Sequence, residues 1–313
     1  MGWNSNKRKE EHQRLLKEDA AFRQRYEEEL TKLSGRKHNY LKDFLVFVAG
    51  MLLLAIIAGT IFLTDQHHAT EDAQAIAQVA QQESGVSSGV RVTKTTEGHL
   101  VFTPASASPA SSSTGEDSDA NADQAAATND SASLSKTGII FYPGAKVDFV
   151  AYAPLMQKLA SQQVTCVLLN VPFNLAFFGA DAAAGAMSQL PEVERWYIAG
   201  HSLGGVVGST FALNHQDSVD GVIFLASYPS DSLSNTSLRA LSICGSADGV
   251  MNQESYQAAQ KLMPKDFQEL VIEGGNHAQF GSYGTQDKDG QATITPDDQQ
   301  QQTANAIVKF LSE

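Results

Sequence analysis

The sequence predicts an α/β fold built on a mainly parallel β-sheet with helices flanking both faces. Between residues 136 and 313, short apolar runs typical of buried strands alternate with longer segments of helical spacing. A serine flanked by glycines directly follows one of these strands and opens the next predicted helix. An uncharged apolar run long enough to cross a bilayer lies ahead of this region. These observations predict one α/β domain preceded by a transmembrane helix.

The predicted strands and helices alternate along the whole of residues 136–313. Strands are expected at 138–142, 164–169, 196–199, 222–226, 240–244 and 269–272. Helices are expected at 152–162, 182–190, 204–214, 253–262 and 298–311. The strands are apolar throughout rather than alternating with polar residues, which is typical of a parallel sheet covered on both faces.

Residues 44–64 form an apolar run without a charged side chain. A helix of about 20 apolar residues, at about 1.5 Å per residue, crosses a hydrocarbon core of roughly 30 Å. A cleaved signal peptide begins with a short basic segment, whereas 43 residues precede this run. We therefore expect residues 44–64 to span the lipid bilayer once, as a signal-anchor.

The charges on either side of this run predict its orientation. Residues 1–43 carry 11 Lys and Arg residues against 8 Asp and Glu, and the first basic residue after the run is Arg91. Because basic residues stay on the cytoplasmic side, we expect a cytoplasmic N-terminus and an extracytoplasmic domain at the cell membrane. Residues 65–313 carry a net charge of −16, which argues against a nucleic-acid partner.

Composition divides the remaining segments. Residues 1–43 are charged with a short apolar seam, which predicts a cytoplasmic helical segment. Residues 65–88 are polar and rich in Ala and Gln, which suggests a stalk, and residues 89–103 alternate around a Glu-Gly turn, which predicts a leading β-hairpin. Residues 104–134 have no basic residue and little to bury, which predicts a disordered insertion. The two cysteines, each in an apolar run, are expected to be buried free thiols.

The motif Gly200-His-Ser202-Leu-Gly204 carries the predicted chemistry. A G-x-S-x-G sequence between a strand and a helix forms a nucleophile elbow, a tight turn that presents the serine Oγ above the sheet. Glycines two residues before and after the serine avoid clashes of Cβ with the nearby backbone. The helix that follows favours negative charge at its N-terminus. We therefore predict that Ser202 is a catalytic nucleophile.

A nucleophilic serine needs a general base, and the base needs an acid that orients it. The expected chain order is serine, acid, histidine, and Asp248 and His277 follow the last two predicted strands in that order. The carboxyl ends of parallel strands meet at one edge of the sheet, so both side chains are predicted near Ser202. Asp231 follows an earlier strand and competes for the role of the acid, whereas Asp220 precedes that strand and is expected at the opposite edge.

An oxyanion hole takes one backbone N–H group from the residue after the nucleophile, here Leu203. A second comes from the turn after an early strand, for which Ala145 is the first candidate and Gly144 the second. Residues in two other loops could line the substrate pocket, although ordinary packing explains the aromatic ones equally well: Asn174, Phe177, Phe178, Phe280 and Tyr283. No metal or cofactor is expected, because acyl transfer by serine requires neither.

Five separated motifs stand out along the chain: FYPGAKVD at 141–148, AYAPLMQKLA at 151–160, NVPFNLAFF at 170–178, GHSLGG at 200–205 and GGNHAQFGSYGTQDKDG at 274–290. They resemble the bacterial alpha/beta-hydrolase fold-5 family, whose members are similar to dienelactone-hydrolase-type enzymes. The resemblance covers residues 89–313 and implies the α/β-hydrolase fold and a hydrolase, without a defined substrate. Lids of this fold usually follow strand 222–226, where only residues 227–239 are available, so no large cap domain is expected.

The expected function is a membrane-anchored serine hydrolase that cleaves an ester or another acyl bond through an acyl-enzyme intermediate. The expected substrate is a small molecule or an envelope-derived acyl compound. Two alternatives stay open: an acyltransferase that uses the same triad, and a non-catalytic surface binding protein, since a fold does not determine function. The sequence does not determine the oligomeric state.

Overall fold

The computed structural model consists of two units, Met1–Thr64 and Asp65–Glu313. It describes residues 9–14, 16–32, 48, 66–82, 85–105 and 133–313. In the first unit, the described residues before residue 33 are helical and exposed. Ion pairs one turn apart, Arg14–Glu18 at 3.0 Å and Asp19–Arg23 at 3.2 Å, lie along this helix. Such pairs are typical of a solvated helical surface.

Two predicted segments lie wholly or mostly outside the described residues. They are the transmembrane run 44–64, of which only Val48 is described, and most of the disordered insertion 104–134. Among the helices that the structure does describe, none is sufficiently long and apolar to cross a membrane.

Nine strands in the described part of the second unit form one sheet, in the order β1-β2-β3-β5-β4-β6-β7-β8-β9. They are β1 (Val86–Ser87), β2 (Val90–Lys94), β3 (Leu100–Pro104), β4 (Thr137–Tyr142), β5 (Thr165–Leu168), β6 (Arg195–His201), β7 (Gly221–Leu225), β8 (Arg239–Gly245) and β9 (Gln268–Ile272). The first three strands and the β3–β5 pair are antiparallel, and all pairs from β5 through β9 are parallel. The predicted mainly parallel sheet is confirmed.

Helices cover both faces of this sheet. They are α1 (Glu71–Gln78), α2 (Ala153–Ala160), α3 (Ala182–Ser188), α4 (Leu203–Asn214), α5 (Gln253–Ala259) and α6 (Pro296–Ser312). In β4, Ile139 and Phe141 belong to one buried cluster, and Ile140 and Tyr142 belong to another. Successive side chains of a strand point to opposite faces, so the two clusters are the two sides of the sheet. This double burial explains why the central strands are apolar throughout.

The described residues of 65–88 do not form a stalk, so that prediction is wrong for them. Thr70 caps α1 by accepting a hydrogen bond from the Ala73 N–H group. Ala73 and Val79 are buried in the same cluster as Leu155 of α2. Small alanine side chains on one face of α1 let this helix pack closely against its neighbours. The overall polarity of the segment does not reveal this face. Residues 66–82 therefore belong to the globular unit.

The leading strands join the same sheet. Val92 of β2 pairs with Phe102 of β3, and Phe102 pairs in turn with Cys166 of β5. Cys166 and Cys244 are free and buried, as the sequence predicted. The connection between β7 and β8, all of which the structure describes, contains no helix, and its Leu233 is fully buried.

Candidate active site

Ser202 occupies the tight turn between β6 and α4. Its φ of 52° and ψ of −125° lie in a region that residues other than glycine rarely adopt. Two hydrogen bonds hold this conformation: the Ser202 N–H group donates to the Leu225 carbonyl at 2.9 Å, and Ser227 Oγ donates to the Ser202 carbonyl at 2.6 Å. The strained serine at the end of a strand and the start of a helix has the geometry of a nucleophile elbow.

Gly200 and Gly204 permit a turn this tight. A Cβ on Gly200 would lie 2.4 Å from the carbonyl carbon of Gly204, and a Cβ on Gly204 would lie 2.3 Å from the Tyr142 carbonyl oxygen. Both contacts are with backbone atoms, which cannot rotate away as a side chain can. Any larger residue at either position would therefore displace the turn.

Asp248 and His277 meet in loops that follow β8 and β9. Asp248 Oδ2 lies 2.9 Å from His277 Nδ1, and the two side chains are 0% and 2% exposed. Asp248 Oδ1 accepts the N–H groups of Val250 and Met251 at 2.9 and 2.8 Å. Burial raises the pKa of Asp248, but the hydrogen bond and charge of His277, with these two N–H groups, bring the pKa below its ordinary value. Asp248 is thus a buried carboxylate that fixes the His277 ring.

The Asp248 carboxylate assigns the tautomer of His277. An ionised carboxylate only accepts hydrogen bonds, so Nδ1 carries a proton, and in the neutral form of the ring the lone pair is on Nε2. Nε2 is buried and has no hydrogen-bond partner among the described residues, Ser202 included. The contact between nucleophile and base is often long until substrate binds. The His277 ring lies beside the elbow, with its centroid 4.6 Å from that of His201.

The other two carboxylates lie elsewhere. Asp231 is exposed and accepts hydrogen bonds from the hydroxyl groups of Thr210 and Ser230. Asp220 accepts the Trp196 N–H group at 3.1 Å, near the start of β6 and away from the edge that carries Ser202. Among the three aspartates considered from the sequence, Asp248 is the one that contacts His277.

Leu203 and Ala145 carry N–H groups that have no acceptor within the described part of the chain. Leu203 opens α4, and the first N–H groups of a helix lack partners inside it. Gly144, the second candidate from the sequence, is engaged elsewhere, because its N–H group donates to the Tyr152 hydroxyl at 3.1 Å. The structure therefore favours Leu203 and Ala145 as the donor pair over any pair with Gly144.

Behind this turn lies a buried network that the sequence did not predict. The Tyr152 hydroxyl accepts the Gly144 N–H group and lies 2.8 Å from Nδ1 of His201. Both groups can donate or accept in this contact, so the tautomer of His201 decides which one donates. Burial lowers the pKa of His201 well below its ordinary value, and the nearby His277 lowers it further, so the His201 ring is neutral at pH 7. The network joins the predicted oxyanion turn to the elbow.

Asp289 holds together the two loops that carry Asp248 and His277. Its Oδ1 accepts the N–H groups of Gly249 at 3.1 Å and His277 at 3.2 Å. Its Oδ2 accepts the N–H group of Ala278 at 2.8 Å. No role for this carboxylate was predicted from the sequence. The available signal was an acidic side chain in a glycine-rich loop close to the predicted base.

Two of the proposed pocket-lining residues belong to the core. Phe280 is fully buried, and its ring centroid lies 5.8 Å from that of His201. Tyr283 is 7% exposed and packs against His67 at 5.3 Å between ring centroids. Both side chains therefore have little accessible surface in this conformation, which agrees with the packing alternative.

The other three lining candidates lie in the loop after β5. Asn174 donates hydrogen bonds through Nδ2 to Gln66 and Asp148, both at 3.1 Å, so its side chain is structural. Phe177 and Phe178 are exposed.

A crevice of about 630 Å³ lies between α1, α2 and α6, and its lining includes Thr70, Gln157 and Gln300 but neither Ser202 nor His277. Within the described ranges, no group of three or more His, Cys, Asp or Glu side chains is placed to hold a metal ion.

Several solved structures resemble this fold. The naproxen esterase of Bacillus subtilis is 12% identical, covering 77% of this chain and 99% of its own, with a TM-score of 0.45. The monoacylglycerol lipase of Paleococcus ferrophilus is 14% identical, covering 56% of this chain and 93% of its own, with a TM-score of 0.43. An esterase of Thermogutta terrifontis is 13% identical, covering 56% and 89%, also with a TM-score of 0.43. No curated protein sequence matches the chain.

The family comparison covers the elements that build the site. The alpha/beta hydrolase family matches residues 138–302, which is more than half of the chain. This range runs from β4 into α6 and contains Ser202, Asp248 and His277. The chain therefore belongs to the alpha/beta hydrolase family.

Proposed function

We propose that this protein is a serine hydrolase that cleaves an ester or another acyl bond. The observation that carries the proposal is the buried Asp248–His277 pair, which leaves a lone pair on His277 Nε2 beside the elbow of Ser202. The strained backbone of Ser202 supports it as well, since strain of this kind is retained where function requires it.

In the proposed mechanism, Ser202 Oγ attacks the carbonyl carbon of the substrate while His277 Nε2 takes the hydroxyl proton. Asp248 stabilises the imidazolium that forms, and the N–H groups of Leu203 and Ala145 bind the oxyanion. His277 then returns the proton to the leaving group, and an acyl-enzyme remains. Water, deprotonated by His277, attacks this acyl-enzyme and releases the acid and the free serine.

Labelling by a fluorophosphonate and turnover of p-nitrophenyl acetate test this mechanism. Ser202→Ala should abolish labelling, and Asp248→Asn should lower kcat by about 10⁴-fold, the usual effect of losing the orienting acid. Asp231→Asn is the matched control, because this exposed aspartate follows the neighbouring strand and does not contact His277. A large loss in Asp231→Asn with a small one in Asp248→Asn would reassign the acid. Transfer of the acyl group to an added alcohol in preference to water would indicate an acyltransferase.

We also propose that residues 44–64 anchor the protein in the cell membrane with the hydrolase domain outside. The basic residues before this run and their absence directly after it support this orientation. Protease added to intact cells should cut within residues 104–134, and a denaturing gel should then show the fragment C-terminal to the cut, which the β3–β5 pairing otherwise keeps bound to residues 66–105. Cleavage that appears only after lysis would refute the orientation.

A further inference from the structure

The loop after β5 exposes three phenylalanines, and we call residues 172–178 the phenylalanine loop. Phe173, Phe177 and Phe178 are 61%, 61% and 62% exposed. The large hydrophobic residues that are otherwise exposed in the described part of the second unit are Val86 and Val271, in strands at the two edges of the sheet. The rings of Phe173 and Phe178 meet edge to face at 5.6 Å. The loop thus concentrates apolar surface at one place.

The phenylalanine loop is held in a strained conformation. Phe173 has a φ of 58°, which residues other than glycine rarely adopt, and Asn174, a residue type that tolerates this region better, has a φ of 54°. The Lys146 N–H group donates to the Asn174 carbonyl at 2.8 Å, and Asn174 Nδ2 donates to Asp148 Oδ1 at 3.1 Å. Backbone strain persists only where its surroundings enforce it. The exposed rings are therefore presented by a fixed loop.

The chain enters the globular unit at this same loop. Gln66 accepts a hydrogen bond from Asn174 at 3.1 Å. The next residue, His67, donates its N–H group to the Lys146 carbonyl at 2.7 Å and accepts the Asp148 N–H group at 2.9 Å. The apolar run 44–64 ends two residues before Gln66, and two residues extend over at most about 7 Å. The first described residues of the second unit thus lie against the phenylalanine loop, and in the sequence the apolar run ends two residues before them.

We propose that the phenylalanine loop contacts the surface of the lipid bilayer that residues 44–64 anchor. Clustered apolar surface on a globular protein marks an interaction site, and aromatic rings are well accommodated at the boundary between headgroups and acyl chains. This inference rests on the membrane anchor of the proposed function. The contact places the bilayer near Lys146, the residue after the proposed oxyanion donor Ala145, so the predicted oxyanion turn lies close to the membrane.

The test uses the full chain in phosphatidylcholine liposomes, with and without brominated acyl chains that quench tryptophan. The variant Phe177→Trp places a reporter in the phenylalanine loop. Val271→Trp is the matched control, because Val271 is an exposed apolar residue in the edge strand β9. Unmodified protein supplies the background from Trp3 and Trp196. Brominated lipid should reduce the emission added by Phe177→Trp and leave that added by Val271→Trp unchanged.

Three results would overturn the contact. They are no quenching in either variant, equal quenching in both, and a blue-shifted Phe177→Trp emission without quenching, which would indicate a second copy of the chain on the loop. Carbonate extraction separates these results from failure of the anchor, because release of the unmodified protein would refute anchor and contact together. Fluorophosphonate labelling of the same samples reads the serine chemistry independently of lipid contact.

Discussion

Replacing Tyr152 with phenylalanine tests the buried network behind the oxyanion turn. The change removes one hydroxyl group and leaves the Gly144 N–H group and His201 Nδ1 without their partner. The aromatic ring stays in place against Phe141, so no cavity of ring size forms. An unpaired buried polar group costs about 1–3 kcal/mol, so two cost at least about 2 kcal/mol. In a domain of this size we expect Tm to fall by about 4–8 °C or more.

The same variant should slow catalysis. Once the Gly144 N–H group is released, the turn that carries Ala145 can shift. Complete loss of one oxyanion donor costs about 10²–10³ in kcat, so a misplaced donor should cost about 10-fold or more with little change in KM. Turnover of p-nitrophenyl acetate and thermal unfolding measure the two effects.

The matched control for this variant is Tyr283→Phe. The Tyr283 hydroxyl donates to Gln286 and makes no hydrogen bond to the predicted oxyanion turn. We therefore expect the free energy of unfolding to fall by about 1 kcal/mol and kcat to stay normal. Equal losses of stability in the two variants, with kcat intact in Tyr152→Phe, would refute the reasoning.

Three further predictions concern the same site. Folding holds the pKa of His201 well below 6.5, so as the pH falls the unfolded chain takes up a proton on this residue before the folded chain does. The contribution of the neutral ring to the free energy of unfolding is therefore complete above about pH 6.5 and is lost as the pH falls toward the folded pKa. Urea unfolding between pH 5 and 7 gives the slope of the free energy of unfolding against pH. This slope should be smaller in His201→Gln than in the unmodified protein, by up to about 1.4 kcal/mol per pH unit, and an unchanged slope would contradict the lowered pKa of His201. Asp289→Ala should lower kcat by about 10²-fold, because a displacement of the catalytic loops near 1 Å has this effect. Asp287→Ala changes an exposed neighbour and should leave kcat unchanged. Equal kcat values in the two variants would show that Asp289 does not hold the loops of Asp248 and His277 in place. Gly200→Ala should lose fluorophosphonate labelling through its backbone clash, and Gly185→Ala, whose Cβ would meet open space, should keep it; a labelled Gly200→Ala would contradict the steric account.

Local sterics and hydrophobic burial made much of this protein predictable from the sequence. Strands buried on both faces must be apolar throughout, so the sheet from β4 to β9 could be recognised without a structure. The elbow is equally local, because the clashes that require Gly200 and Gly204 arise within a few residues of Ser202 and in the adjoining strand. Because the carboxyl ends of parallel strands meet at one edge of the sheet, the sequence also predicted the candidate acid and base at that edge.

Tertiary packing alone decided the questions that depend on which distant atoms meet. Asp231 and Asp248 both follow strands, and only the contact between the loops after β8 and β9 pairs one of them with His277. Whether Gly144 offers a free N–H group depends on the Tyr152 hydroxyl, a partner that no spacing rule predicts. The polar composition of helix α1 predicted a stalk, because composition does not show that a few of its alanines, such as Ala73, pack in the core. Composition and periodicity describe each segment separately, whereas a hydrogen bond or a buried contact between segments is created only when the whole chain folds.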